Sequence, residues 1–161
     1  MQCFLPDITI GAKNNDDYAS LYNVTVHEMA HASHYAQVGK DYWTPYIMYV
    51  IQSFVTEGRS AYGSGGGDGA GYCELGEMWG YFMQASLFKD RYGGVMRNFG
   101  GGFWFKPYIL SYLYERGMSR GEIYRALNKN ITGIDDFKEE LVSLYPDREE
   151  IILETFRKNG K

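Results

Sequence analysis

Apolar residues recur at helical spacing through most of the chain, and glycines mark the places where that spacing breaks. The clearest breaks are the run from Gly63 to Gly71, the pair Gly93-Gly94 and the triplet Gly100-Gly101-Gly102. Ahead of the first helical pattern, Leu5-Pro6-Asp7-Ile8-Thr9-Ile10-Gly11 alternates at Ile8 and Ile10, which predicts a short strand at a sheet edge, where Pro6 is tolerated. A helix is expected from Asp16 or Asp17 to Val38, with acidic residues in its first turn and Gly39 as its stop. Thr44-Pro45 has the form of an N-cap and first helical position, and Tyr46, Ile47, Val50, Ile51 and Phe54 carry a second, largely buried helix up to Gly58. A third helix is expected from Glu74 to about Asp90, with Met78, Phe82 and Ala85 along one side, and a fourth from Pro107 to Arg116. Ser119-Arg120-Gly121-Glu122 fits a capping box that opens a fifth. Asp135 to Leu144 and Pro146 to Arg157 give two more amphipathic helices. The pattern is mainly α, formally α+β through the one short strand.

Bulk composition narrows the classes of function. With 161 residues, 45% of them hydrophobic, residues 1–161 suffice for a single domain with its own core. That domain can stand alone or form the C-terminal part of a longer protein. The net charge is -4 and the cations are scattered singly, so no basic stripe is offered to nucleic acid. No apolar run approaches the length of a transmembrane helix. Aromatics make up 17% of the chain, including 15 Tyr, which suits an aromatic core as well as a ligand-lined groove. Cys3 and Cys73 are equally readable as a disulfide or as two separate thiols. An extracytoplasmic or secreted location, periplasm or cell surface, is the expectation.

One segment carries recognisable chemistry: His27-Glu28-Met29-Ala30-His31, in the middle of the first helix. Residues four apart on a helix lie one turn, about 5.4 Å, above one another, so both imidazoles face the same way. That spacing lets two neutral histidines ligate one Zn(II) ion, while Glu28 beside the first ligand reaches a metal-bound water as its base. A histidine pair on a helix can also be part of an ordinary core, but here all three histidines of the chain, His27, His31 and His34, fall within eight residues. A catalytic zinc needs a third protein ligand. His34 follows on the same straight helix, a poor base for a tetrahedron, and is read as a neighbour. The motif resembles that of zinc peptidases that take a glutamate of a later helix, and that resemblance implies Glu77, preferred because it lies within a firmly helical segment, over Glu57, beside Gly58 at a helix end, and Glu74, which can equally be a solvated charge near a helix start. The resemblance to zinc peptidases also implies a Tyr or His that stabilises an oxyanion, for which His34 and several tyrosines, among them Tyr62, Tyr81, Tyr108 and Tyr112, are candidates. The glycine run from Gly63 lacks the lysine of a phosphate loop and is either a flexible rim beside the metal or a plain connector. Phe99, Phe103, Trp104 and Phe105 are expected to pack their loop onto the core.

These motifs resemble known zinc peptidases. The branch that continues the motif as HExxHxxGxxH is excluded, because His34 and Gln37 occupy its glycine and third-histidine positions. The branch known as gluzincins takes a glutamate from a later helix; Gly76-Glu77-Met78-Trp79-Gly80-Tyr81-Phe82 resembles that arrangement, and Thr56-Glu57-Gly58-Arg59-Ser60-Ala61-Tyr62 resembles its aminopeptidase version. Taken with the Leu5 to Ile10 strand and the segment from His27 to His34, the first half of the chain resembles a family of zinc-binding metallopeptidases from gut-type Bacteroidetes. The resemblance implies a zincin-like helical catalytic domain in which the strand before the HExxH helix is an edge for a peptide substrate. It implies a hydrolase with Zn(II) on His27, His31 and Glu77, and Glu28 as catalytic base. Zincins commonly carry several strands before the motif, and only 26 residues precede His27 here. The alternative is a non-catalytic zinc-binding or surface interaction module on the same scaffold.

Overall fold

A computed structural model describes residues 17–58, 60 and 62–160. The strand expected over Leu5 to Gly11, and with it Cys3, lie outside the described residues. Among the described residues the fold is mainly helical: α1 (Tyr18–Val38), α2 (Lys40–Thr56), α3 (Ala70–Tyr92), α4 (Tyr108–Glu115), α5 (Arg120–Ala126), α6 (Ile134–Leu144), a 3-10 turn (Pro146–Arg148) and α7 (Glu149–Lys158). None of these helices is long and apolar enough to cross a membrane.

Helix α1 starts and stops where its residues dictate. The Asp17 carboxylate caps it by accepting from the Ser20 N–H at 2.7 Å, and no acidic residue lies in its first turn, contrary to expectation. At its other end Gly39 takes φ +84 and returns its N–H to the Tyr35 carbonyl at 2.8 Å. The same glycine then caps α2, which begins at Lys40 rather than at Thr44-Pro45. Pro45 therefore lies inside α2 and cannot donate to the carbonyl four residues back, a loss tolerated because Lys40, Asp41 and Thr44 are exposed there. Helix α3 likewise begins at Ala70, four residues before the expected Glu74, because the turn at Gly69 (φ +87) opens it directly out of the glycine run. The box at Ser119 forms as expected, with Ser119 and Glu122 each closing on the other's backbone.

The core explains the order of the helices. Leu75, Met78, Trp79 and Phe82 of α3 are buried against Ile109, Leu110 and Leu113 of α4, Ile123 of α5, Phe137 and Leu141 of α6, and Ile152 and Phe156 of α7. Helix α3 is thus the central element, covered on one side by the C-terminal helices. Its other side receives α1 and α2, where Val38, Tyr42 and Trp43 form a second cluster. Two side-chain ties hold α1 to α5: the Gln37 amide donates to the Tyr124 and Leu127 carbonyls, and the Tyr124 hydroxyl donates to the Ser33 carbonyl at 2.7 Å.

Candidate functional site

His27 and His31 leave α1 on the face turned toward α3, and Glu77 leaves α3 toward them. The two Nε2 atoms lie 3.0 Å apart. Glu77 presents Oε2 to His27 Nε2 at 3.5 Å and Oε1 to His31 Nε2 at 3.4 Å. The three side chains are largely shielded from solvent, Glu77 most of all at 1% exposure. The close approach of the two helices depends on a missing side chain: a Cβ on Gly80, one turn after Glu77, would lie 2.7 Å from His27 Cε1. Gly80 is therefore the hollow in α3 into which the His27 ring fits.

Electrostatics bias this spot toward positive charge. Burial alone would raise the Glu77 carboxyl, yet the charge of His31 and hydrogen bonds from both histidines outweigh it and hold Glu77 well below the usual carboxylate range. Burial alone would lower His31, and Glu77 reverses that, so the imidazole sits above its ordinary value. Among the described residues, His27, His31 and Glu77 form a group of donors within 4.8 Å of one another that can hold a metal ion.

The other two glutamates are elsewhere. Glu57 ends α2 as an exposed residue and takes no part in the group. Glu74 is 5% exposed on the first turns of α3, so it is not the solvated charge expected, and it does not join the group either. His34 is fully buried beside Tyr42 and Trp43, with ring centroids 5.0 and 5.8 Å away. Burial, helped by the nearby His31, lowers it to about 4, which makes it a neutral core histidine.

Glu28 is half-buried and faces an open cleft of about 280 Å³, lined also by Val24, His27, Tyr62, Tyr81 and Gln84. Of the hydroxyl and imidazole candidates, Tyr62 and Tyr81 reach this cleft; Tyr108 and Tyr112 line a separate pocket with Arg97 and Glu115. Burial pushes the Tyr81 phenol up to about 12, and it raises Tyr62 further with help from Glu77, so both remain hydrogen-bond donors. Tyr62, just before the glycine run, is pinned: its carbonyl accepts from the Tyr49 hydroxyl at 2.9 Å and from Trp104 Nε1 at 2.6 Å. Phe103 and Phe105 pack edge-on against the Tyr62 ring, 4.9 and 5.4 Å between centroids; Phe105 is part of the core as expected, whereas Phe103 is left exposed. The glycine run itself packs on α2 and Trp104, with the Gly65 N–H donating to the Tyr49 hydroxyl at 3.0 Å, and none of its residues from Gly63 to Gly71 lines the cleft.

Tyr46 is the site residue that the sequence did not single out. From α2 its hydroxyl donates to Glu77 Oε1 at 2.5 Å. Its only sequence signal is a polar-tipped aromatic on a helix face that is otherwise buried, which the chain repeats many times. Cys73 is buried, with its thiol pushed up by burial. Comparisons with protein-family profiles, curated proteins and solved structures found no match to this chain, so the reading of the site rests on its own residues.

Proposed function

We propose that this chain is a zinc-dependent metallopeptidase in which His27, His31 and Glu77 hold Zn(II) and Glu28 is the catalytic base. The observation that carries the reading is the meeting of Glu77 with both histidines of the motif, from a separate helix, at the wall of a cleft that Glu28 lines. The donor spacings fit the ion. A tetrahedral zinc with arms of about 2.0 to 2.1 Å has donor–donor edges of about 3.3 to 3.4 Å. The two histidine nitrogens lie 3.0 Å apart, and the Glu77 carboxylate meets them through different oxygens, Oε2 at 3.5 Å from His27 Nε2 and Oε1 at 3.4 Å from His31 Nε2. Glu77 Oε2 is also buried without a hydrogen bond of normal geometry, a costly state for a carboxylate oxygen unless positive charge meets it.

A bound Zn(II) supplies Lewis acidity toward a peptide carbonyl and toward water. The chain's own residues do the rest. Glu28 takes the proton of the attacking water and returns it to the leaving amine, as its position on the cleft wall allows. Tyr62 and Tyr81 offer phenolic donors to the carbonyl oxygen as negative charge develops there. A peptide or protein is the substrate class that the resemblance of the motif to zinc peptidases suggests, and its poor amine leaving group is the one that needs the proton Glu28 returns.

Elemental analysis and a peptide-library digest test the reading. Wild type is expected to carry about one zinc per chain and to cleave; Glu28→Gln keeps the zinc and loses at least about 100-fold in hydrolysis; His31→Ala loses the zinc. Hydrolysis that survives Glu28→Gln removes the proposed base. Zinc bound without cleavage of any peptide identifies a binding module on the same scaffold, and no zinc in folded, zinc-supplied protein ends the reading.

A further inference from the structure

The carboxylate of Glu77 has two chemically equal oxygens on a flexible stem, and something must decide which of them is offered to the histidines. The structure has such a device on a third helix. Tyr46 of α2 reaches across to α3, where its hydroxyl meets Glu77 Oε1 at 2.5 Å. An ionised carboxylate can only accept, so the phenol is the donor, and a hydroxyl bound to a charged oxygen makes one of the shorter and stronger hydrogen bonds available to a protein. The ring is held from several sides: Trp43 lies 4.5 Å away between centroids and His31 6.2 Å away. On the α3 side the ring fits because residue 76 is glycine, where an added Cβ would stand 3.3 Å from Tyr46 Cε2. Tyr62 also interacts with Glu77, from the cleft side. The oxygen without a hydrogen bond of normal geometry is Oε2, the one 3.5 Å from His27 Nε2.

We propose that Tyr46 is a positioning residue for the metal group: by donating to Oε1 it holds Glu77 in one orientation and leaves Oε2 as the oxygen for the cation. The proposal rests on the zinc-site reading above and adds a role for a residue outside the motif. Outer hydrogen bonds of this kind orient ligands, and losing one typically costs 10- to 100-fold in metal affinity. Tyr46 does not touch substrate in this scheme; it acts through Glu77.

Tyr46→Phe tests it, since the ring and its packing stay and only the hydroxyl goes. Zinc affinity is measured on the metal-free protein by competition with a chromophoric chelator. The cobalt-loaded protein is compared by its visible spectrum, which responds to the number and arrangement of ligands. The expected result is zinc binding about 10- to 100-fold weaker together with a changed cobalt spectrum. Tyr124→Phe, which loses a hydroxyl donating to the Ser33 carbonyl instead, keeps the wild-type affinity and spectrum. Should Tyr46→Phe fail to fold, Tyr46→Met, which also fills the space without a donor, must show the same loss of affinity. A Tyr46→Phe protein that melts lower but binds zinc and cobalt like wild type overturns the proposal and leaves the zinc site standing. Wild type that binds no zinc overturns both.

Discussion

Gly80 sits in the middle of a long helix, where alanine would ordinarily be the better residue by about 1 kcal/mol. The geometry around it works in the opposite direction. An added Cβ would stand 2.7 Å from His27 Cε1 and 3.0 Å from both ring nitrogens, so the ring has to move. Overpacking of this kind costs about 1 to 3 kcal/mol when the neighbours cannot yield. A histidine side chain without metal can yield; one fixed as a ligand cannot. Gly80→Ala is therefore expected to change the stability of metal-free protein by less than about 1 kcal/mol in urea melts, because the two effects offset each other. Its zinc affinity in chelator competition should fall at least about tenfold. An unchanged affinity would show that His27 is not held where α3 puts it. At this scale the sequence was informative for residues whose chemistry is rare, and silent for those whose chemistry is common. His27, Glu28 and His31 stood out because the chain has only three histidines, and Glu77 could be preferred over Glu57 from its place in a helix. Tyr46 could not, because it lies 31 residues from its partner and is one of 15 tyrosines.

Between residue and fold, the ends of helices show what a cap residue can and cannot reveal. Ser119 was legible because a capping box is a local contract between two residues three apart, and both of its hydrogen bonds form. Thr44-Pro45 had the right letters for a helix start and was not one, because Gly39 with positive φ ends α1 and opens α2 in a single residue. Nothing in Thr44 or Pro45 reports that, since the turn is decided upstream. The early start of α3 has the same origin in Gly69. The Ser119 box also gives a clean test of what stabilises the C-terminal helices. Ser119→Ala removes the acceptor for the Glu122 N–H, found at 3.2 Å, and should cost about 1 kcal/mol in chemical denaturation. Because α5 meets α1 only through Gln37, Tyr124 and their neighbours, away from the histidine pair, zinc affinity should stay within about twofold. A large loss of zinc with this variant would mean that α5 positions α1 more strictly than those ties suggest.

Across the whole molecule, the candidate site joins α1 and α3, which also share the hydrogen bonds of Trp79 Nε1 to Ser33 Oγ at 3.3 Å and of the Tyr22 hydroxyl to the Leu87 carbonyl at 3.4 Å. His27 and His31 belong to α1, Glu77 to α3, and Tyr46 adds α2, so the three longest helices among the described residues converge on one group of side chains. The sequence indicated the helices and proposed His27, His31 and Glu77, but it did not indicate that Gly80 lets the His27 ring sink into α3, where an added Cβ would stand 2.7 Å from it. The strand expected to flank the cleft lies outside the described residues. A ligand that binds only the folded chain stabilises it by mass action, about 2.7 kcal/mol when free zinc is 100 times its dissociation constant. For a domain of this size 1 kcal/mol moves the melting temperature by roughly 2 to 4 °C. Removing zinc with a chelator should then lower the melting temperature of wild type by roughly 5 to 10 °C, and adding zinc back should restore it. In His31→Ala the melting temperature should be the same with chelator and without. Apart from α3 itself, the apolar cluster that α3 shares with α4 to α7 draws most of its buried residues from helices that carry none of the three candidate ligands. Chelation is accordingly expected to loosen α1 and α2 against α3 first, seen as faster amide exchange in α1 than in α6 and α7. Uniform loss of protection across all helices would instead make the site the keystone of the whole fold.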